Sequence, residues 1–355
     1  MPSIPDQQQV LDALRDFNDP ENGRSLVEQQ QIRDVRAEGG RLSLTLALTT
    51  FSAPLWQELK QTVERRLRER FPDVADVQVE LAEHKRPPLA LGQIGLKAKS
   101  VIAVGSGKGG VGKSTIAACL AFGLKRAGCK VGLMDADVYG PSIPHLIGVN
   151  ERPQTGETGI IPVDAGGMKV MSMGFLVPRG EAVIWRGPML HGAITQFLRD
   201  TQWGELDYLI IDMPPGTGDI ALTLSQLLPL TGAVVVCTPQ DVALLDAEKA
   251  IAMFRKVSIP VLGMVENMSY FLCPDCGKRY DIFGSGGAKR SAERLEVPFL
   301  GEVPINISIR VYGDAGQTDK NFDEPASAEY LQKIIHNLVA GRTKEPAKLP
   351  SLSVL

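Results

Sequence analysis

Chemistry is concentrated first in Gly107-Lys108-Gly109-Gly110-Val111-Gly112-Lys113-Ser114-Thr115, which has the P-loop spacing of glycine, four residues, then Gly-Lys-Ser. The glycines let successive backbone N–H groups turn toward one centre, and a helix starting near Lys113 adds its positive end. All nine residues therefore form an expected polyphosphate cradle. Lys113 is expected to meet the β- and γ-phosphates, Ser114 to ligate Mg²⁺ through its hydroxyl, and Thr115 to lie beside the α-phosphate. Leu209-Ile210-Ile211-Asp212 is an apolar strand followed by an acid, the Walker B arrangement, so Asp212 is expected to hold Mg²⁺ through water. Met134-Asp135-Ala136-Asp137 places two more carboxylates after a strand. Asp135 joins Ser114 and Asp212 as an expected magnesium residue, and Asp137 is expected to orient an attacking water. The loop Met213-Pro214-Pro215-Gly216-Thr217-Gly218-Asp219 is of a kind that changes shape with a γ-phosphate. The implied chemistry is binding of a nucleoside triphosphate and transfer of its terminal phosphate to water.

The second concentration is Cys273-Pro274-Asp275-Cys276-Gly277, a turn that lets two thiolates face one metal. A structural zinc needs four ligands, and no second such pair follows; His84, His145, His191 and His336 are all far away in sequence. A thioredoxin-like redox pair would follow the first strand of its domain. Two ligands per chain instead imply a site completed by two-fold symmetry. Two copies give four cysteines, the ligand set of a [4Fe-4S] cluster or of zinc, and the spacing does not choose between them. Cys119, Cys129 and Cys237 read as packing residues.

The elements that position these groups follow from the apolar pattern. Short continuous runs at Val101–Val104, Lys130–Met134, Tyr208–Ile211, Ala233–Cys237, Val261–Val265 and Pro298–Val303 alternate with segments able to form helices. That rhythm predicts an α/β fold with a mostly parallel, doubly wound sheet, the P-loop NTPase arrangement, covered by helices on both faces. The first hundred residues differ. Val10, Leu11, Leu14 and Phe17 have helical spacing, Leu42 to Leu48 and Val77 to Leu81 alternate as strands, and a second helix is predicted from Pro54. The expected organisation is a small α+β domain over 1–84, a linker over 85–99, the ATPase domain with the cysteine pair over 100–343, and a loose tail over 344–355.

The chain has 355 residues, with 38 Lys+Arg against 41 Asp+Glu and 44% hydrophobic content. Length and composition exclude a peptide or disulfide mini-protein, and the net charge of −3 offers no basic field for nucleic acid. Five cysteines without a charged-then-apolar leader lead to an expected cytoplasmic location, and the uncharged stretch Ile220–Gln240 is broken by Pro229 and Gly232, so no membrane span is expected.

Lys108, a second lysine inside the loop, makes Gly107 to Thr115 resemble the deviant Walker A motif of dimeric ATPases that include the nitrogenase iron protein, septum-site and plasmid-partition ATPases, and Mrp-type iron-sulfur carriers. The resemblance implies a nucleotide-sandwich homodimer in which Lys108 reaches the phosphates of the opposite subunit. It also implies that Asn267 contacts adenine, and that Asp135–Asp137 and Asp212–Gly218 form the two switches. The Mrp/ApbC branch is the most similar. It is matched by Asp135-Ala136-Asp137-Val138-Tyr139-Gly140-Pro141-Ser142, Trp185-Arg186-Gly187-Pro188-Met189, Thr238-Pro239-Gln240-Asp241-Val242-Ala243-Leu244 and Glu266-Asn267-Met268-Ser269. The N-terminal unit resembles the MIP18-like domain fused to such carriers, though Ala53 stands where many relatives have a cysteine. The resemblance favours a [4Fe-4S] cluster shared between subunits at Cys273 and Cys276. It implies slow ATP hydrolysis and cluster delivery to apo iron-sulfur proteins, with scaffold proteins as further partners and neither nucleic acid nor membrane. Two other readings remain open from the residues: a positioning or partition ATPase, and an ATPase with a structural zinc at its dimer interface.

Overall fold

The computed structural model describes residues 5–176, 187–216 and 218–342. Trp185 and Arg186, Thr217 and the tail from Lys344 to Leu355 lie outside the described residues. The chain divides into two compact units, with the main boundary after Pro87.

In the first unit, helix Gln7–Ala13 is started by a capping box: Asp6 accepts from the Gln9 N–H at 2.8 Å while the Gln9 side chain accepts from the Asp6 N–H. Strand Arg41–Leu48 is the centre of a three-stranded sheet, antiparallel to Ile32–Glu38 and parallel to Asp76–Glu83. Its alternate Leu42, Leu44, Leu46 and Leu48 are buried with Val63 and Leu67 of helix Trp56–Arg70. That helix starts later than expected. Pro54 lies inside a 3₁₀ turn, Thr50–Leu55, that is tied back by Ser52 Oγ and Trp56 Nε1, both donating to the Thr49 carbonyl. Strand Ile32–Glu38 went unpredicted because it is an edge strand whose residues after Ile32 are exposed or half-buried, which leaves little apolar pattern to read.

The second unit is built on the predicted sheet. Strand Leu96–Gly105 lies between Leu206–Asp212 and Gly232–Cys237, parallel to both. Outward on one side come Val131–Asp135 and Lys169–Ser172, and on the other Val261–Leu272 and Phe299–Ile305, again all parallel. All of these strands except Lys169–Ser172, which the sequence did not mark, contain the runs of buried aliphatic residues that announced them. The stretch read as a linker is structured at its end: Leu96 and Ala98 are buried strand residues, and Lys99 pairs with the buried Asp207 at 3.0 Å. Two lysines among few apolar residues disguised a strand whose inward positions alternate. Because the central strands are parallel, their carboxyl ends share one edge, where doubly wound sheets bind ligands. Among the described residues, no helix is long and apolar enough to cross a membrane.

Candidate functional site

The loop after Leu96–Gly105 leads into helix Lys113–Arg126, whose N-cap is Gly112 in the left-handed region at φ +81°. Only glycine takes that conformation without steric cost. At Gly107 the reason for glycine is proximity: a Cβ there would lie 2.1 Å from the backbone carbonyl of Asp246 on helix Asp241–Lys256. The loop is therefore packed against a neighbouring helix, with its N–H groups at a helix N-terminus. Lys108 is half-buried, and its carbonyl accepts from Ser106 Oγ at 2.9 Å.

Three of the predicted residues from three separate segments meet at Lys113. Its ammonium lies 2.5 Å from Asp212 Oδ1, 3.7 Å from Asp137 Oδ2 and 3.1 Å from Ser114 Oγ, and all but 6% of Lys113 is covered. The second oxygen of Asp212 is buried with no hydrogen-bond partner. An orphaned carboxylate oxygen beside a serine hydroxyl is the donor chemistry a Mg²⁺ ion takes, so Asp212 and Ser114 fit that ion. Burial pushes the Asp212 carboxyl above the usual range against the pull of Lys113.

Asp135 and Asp137 are used differently. Asp135 lies beside Asp212 in the strand register and is fully buried. One of its oxygens accepts from the Asp137 N–H, and the other from the Ile143 N–H and Ser172 Oγ, at 3.0, 3.2 and 2.9 Å. It is pushed up to about 8 by burial first and by the neighbouring Asp212 second. Asp137 accepts the Tyr139 and Gly140 N–H groups through Oδ1, folding a turn that leaves Tyr139 77% exposed, and turns Oδ2 toward Lys113.

Asn267, on strand Val261–Leu272, reaches the P-loop. Its Nδ2 donates to the Val111 carbonyl at 2.9 Å and is so close that a Cβ on Gly112 would lie 2.2 Å away. Beside it is Glu266, a fully buried carboxylate to which sequence reasoning gave no role. Glu266 accepts from Ser269 Oγ at 2.5 Å, the Gly286 N–H at 3.1 Å and the Ala288 N–H at 2.7 Å. The signal was present: an acid ending the apolar run Val261–Val265 needs a partner set wherever that strand is buried. Met268, next along, has φ +55° within an irregularity of the strand pairing, a strain of about 1–3 kcal/mol.

The same strand runs on into the cysteine turn. Strand Val261–Leu272 pairs antiparallel with Arg279–Tyr280, and the connecting turn is closed by the Gly277 N–H to the Cys273 carbonyl at 2.8 Å and the Cys273 N–H to the Lys278 carbonyl at 3.0 Å. Cys273 is half-buried and Cys276 exposed, while Cys119, Cys129 and Cys237 are buried. The backbone N–H groups of Cys276 and Asp275, with the Cys276 thiol, hold Cys273 below the usual thiol range. Among the described residues, no cluster of three or more His, Cys, Asp or Glu side chains is placed to hold a metal ion. The Arg279 guanidinium lies over the Tyr270 ring at 3.8 Å and pairs with Asp281 at 2.7 Å, packing the hairpin onto its own strand.

The chain is similar to known proteins along most of its length. Residues 97–339 match the family described as NUBPL iron-transfer P-loop NTPase, and residues 7–81 match one described as iron-sulfur cluster assembly protein. The chain is 49% identical over 351 residues to an iron-sulfur cluster carrier protein of Deinococcus radiodurans, covering 97% of this chain and 99% of that one. It is 48% identical over 262 residues to the iron-sulfur cluster transfer protein NUBPL of Dictyostelium discoideum, covering 70% and 81%. Among solved structures, a nucleotide-binding protein of Archaeoglobus fulgidus in complex with ADP aligns at a TM-score of 0.58 with 43% identity, covering 66% of this chain and 92% of that one. The Pyrococcus furiosus cell division ATPase MinD shares the fold at 22% identity and a TM-score of 0.51, covering 67% and 97%. Together with the P-loop, the Asp212 carboxylate and the cysteine hairpin, these matches establish that the chain belongs to the NUBPL iron-transfer P-loop NTPase family, preceded by an iron-sulfur cluster assembly domain.

Proposed function

We propose that the protein is an ATP-hydrolysing homodimer that takes up an iron-sulfur cluster between two copies of the Cys273/Cys276 hairpin and hands it to apo-proteins, with scaffold proteins as the source. The observation that carries this reading is the incomplete ligand set: two accessible thiols on a closed turn, with no third ligand beside them among the described residues. A second copy related by a two-fold axis supplies the other pair. The cargo is then held at an exposed joint between subunits, from which it can leave. The names of the relatives, an iron-sulfur cluster carrier protein and an iron-sulfur cluster transfer protein, support the cargo. The ADP complex of the Archaeoglobus protein supports the nucleotide.

In the hydrolytic step Lys113 binds and neutralises the terminal phosphates, its ammonium already between Asp212 and Asp137. Lys108, half-buried in the loop, adds charge toward the partner's nucleotide. Ser114 and Asp212 would hold Mg²⁺, which would neutralise charge on the phosphate oxygens. Asp137, fixed by two backbone N–H groups, orients water for in-line attack. Hydrolysis is slow because positioning is completed only when two subunits meet.

The test is anaerobic reconstitution with iron and sulfide. About four irons per two chains are expected, accompanied by a doubling of mass, and both are lost in the Cys273→Ser, Cys276→Ser variant. Uptake of one zinc per two chains without iron, or full iron uptake by the variant, overturns the proposal.

A further inference from the structure

We propose that Glu266 is a positioning residue that ties the P-loop to the cysteine hairpin within one subunit, so that nucleotide in the loop changes the accessibility of Cys273 and Cys276. The inference rests on the nucleotide reading above and goes beyond it, because it needs neither the switch after Asp212 nor a second copy.

Connectivity links the two sites. The hairpin has two legs. The outgoing leg is strand Val261–Leu272 itself, and the return leg passes through residues 284–288 into helix Gly287–Arg294. Glu266 lies at the root of both: it belongs to the outgoing strand and accepts the Gly286 and Ala288 N–H groups of the return leg, so the two legs are clamped at one carboxylate. Its neighbour Asn267 donates to the Val111 carbonyl, in the loop that is to cradle phosphates. Adjacent residues of one strand thus hold the nucleotide loop and the base of the thiol loop. Where the chain leaves this joint it is bent, with Met268 in the left-handed region and the pairing to Phe299–Ile305 irregular from Asn267 to Phe271. At that bend the strand is held by the least regular pairing, so a shift at the joint is taken up there rather than resisted by a continuous ladder.

Phosphate entering the loop draws its N–H groups inward and shifts the Val111 peptide. The Asn267 amide follows that carbonyl, and the clamp at Glu266 passes the movement to both legs of the hairpin. Such a device works only if nucleotide interacts differently with two hairpin arrangements, and the coupling is then reciprocal: occupation of the thiols changes nucleotide affinity by the same factor.

The experiment measures iodoacetamide labelling of Cys273 and Cys276 by peptide mass spectrometry, with and without a non-hydrolysable ATP analogue and Mg²⁺. Analogue affinity is measured separately by fluorescence. In the full-length wild-type chain the analogue is expected to change the labelling rate about fivefold or more, equally at protein concentrations tenfold apart. Glu266→Gln turns an amide N–H toward one of the two backbone N–H donors. It is expected to keep analogue affinity within about twofold while losing the rate change. Glu302→Gln, at the strand-pairing neighbour of Glu266 that hydrogen-bonds Ser269 Oγ at 3.2 Å while the return-leg N–H groups go to Glu266, is expected to keep both. Bound analogue with an unchanged labelling rate, a rate change that vanishes on dilution, or a full rate change in Glu266→Gln overturns this inference alone. An analogue that does not bind the wild type overturns the nucleotide reading and this inference together. Should Glu266→Gln not fold, amide exchange at Gly286 and Ala288 in the wild type decides: nucleotide must alter it, and unchanged exchange overturns the proposal.

Discussion

Two glycines of the P-loop have nearly the same backbone conformation and opposite surroundings. Gly110 has φ +80° and nothing within 4 Å of the place a Cβ would take, whereas Gly112, at φ +81°, would press a Cβ to 2.2 Å from Asn267 Nδ2. Alanine at either position forces a left-handed residue at about 1–2 kcal/mol. At Gly112 it also displaces a buried amide from the Val111 carbonyl, a net hydrogen-bond loss of about 0.5–1.5 kcal/mol. The restriction that alanine places on the unfolded chain, about 0.4–1 kcal/mol in its favour, is common to both and cancels in the comparison. Gly112→Ala is therefore expected to cost about 1 kcal/mol more than Gly110→Ala in urea unfolding of the full-length chain without nucleotide, followed by far-ultraviolet circular dichroism. Repeating both in an Asn267→Ala background is expected to close the gap to within about 0.5 kcal/mol, since the clashing group is gone. Equal costs in the wild-type background, or a gap that survives Asn267→Ala, would refute the claim that Asn267 is seated on the loop.

Other outcomes follow from the same geometry. Burial pushes the thiols of Cys119 and Cys237 up to about 12, whereas Cys273 is held low, so brief iodoacetamide treatment of the native chain near neutral pH is expected to label the hairpin and spare those two. Comparable labelling at Cys119 would contradict their burial. His84 Nδ1 faces the Arg33 guanidinium at 2.9 Å, and burial first, then Arg86 and Arg33, lowers its pKa below 6.5. A lowered histidine stabilises the fold above its unfolded pKa, and that contribution disappears as pH falls through the folded value. An imidazole NMR titration, assigned by loss in His84→Gln, should therefore place its midpoint under 6.5; a higher midpoint would contradict the geometry. Gly123→Ala adds a Cβ 2.0 Å from Ile335 Cδ1 and 2.7 Å from the Phe322 ring, so despite the better helix propensity of alanine it is expected to lower stability by about 1–3 kcal/mol. A stabilised variant would show that this packing is loose.

The parallel sheet was legible because its strands are covered on both faces and therefore read as continuous apolar runs. The nucleotide loop was legible because phosphate binding restricts both residue type and spacing. What stayed hidden depended on partners distant in sequence. Lys97 and Lys99 concealed the start of the central strand, whose burial is evident only once Asp207 is seen beside Lys99. Ser172 belongs to a four-residue strand too short to show a pattern, yet its hydroxyl completes the hydrogen bonding of Asp135. Glu266 carried a visible anomaly, an acid closing an apolar run, but its three donors arrive from three residues downstream and from the far side of the cysteine hairpin.

The three aspartates of the nucleotide edge illustrate how composition and spacing run out and hydrogen-bond accounting takes over. In the sequence Asp135, Asp137 and Asp212 are alike: each follows a buried strand next to a P-loop. In the fold, Asp135 has both oxygens committed to two backbone N–H groups and a hydroxyl, and is pushed up to about 8 in a fully buried position. A carboxylate so engaged sets the path of the chain from Asp137 to Ile143. Asp137 commits one oxygen to the backbone and turns the other toward Lys113, so it can respond to what the lysine binds. Asp212 alone keeps a buried oxygen without a partner, and an uncompensated oxygen in that position is costly unless a cation meets it. The three carboxylates are thus engaged differently: Asp135 shapes the loop, Asp137 faces Lys113, and Asp212, beside Ser114, keeps a buried oxygen without a partner, the donor chemistry that a Mg²⁺ ion takes.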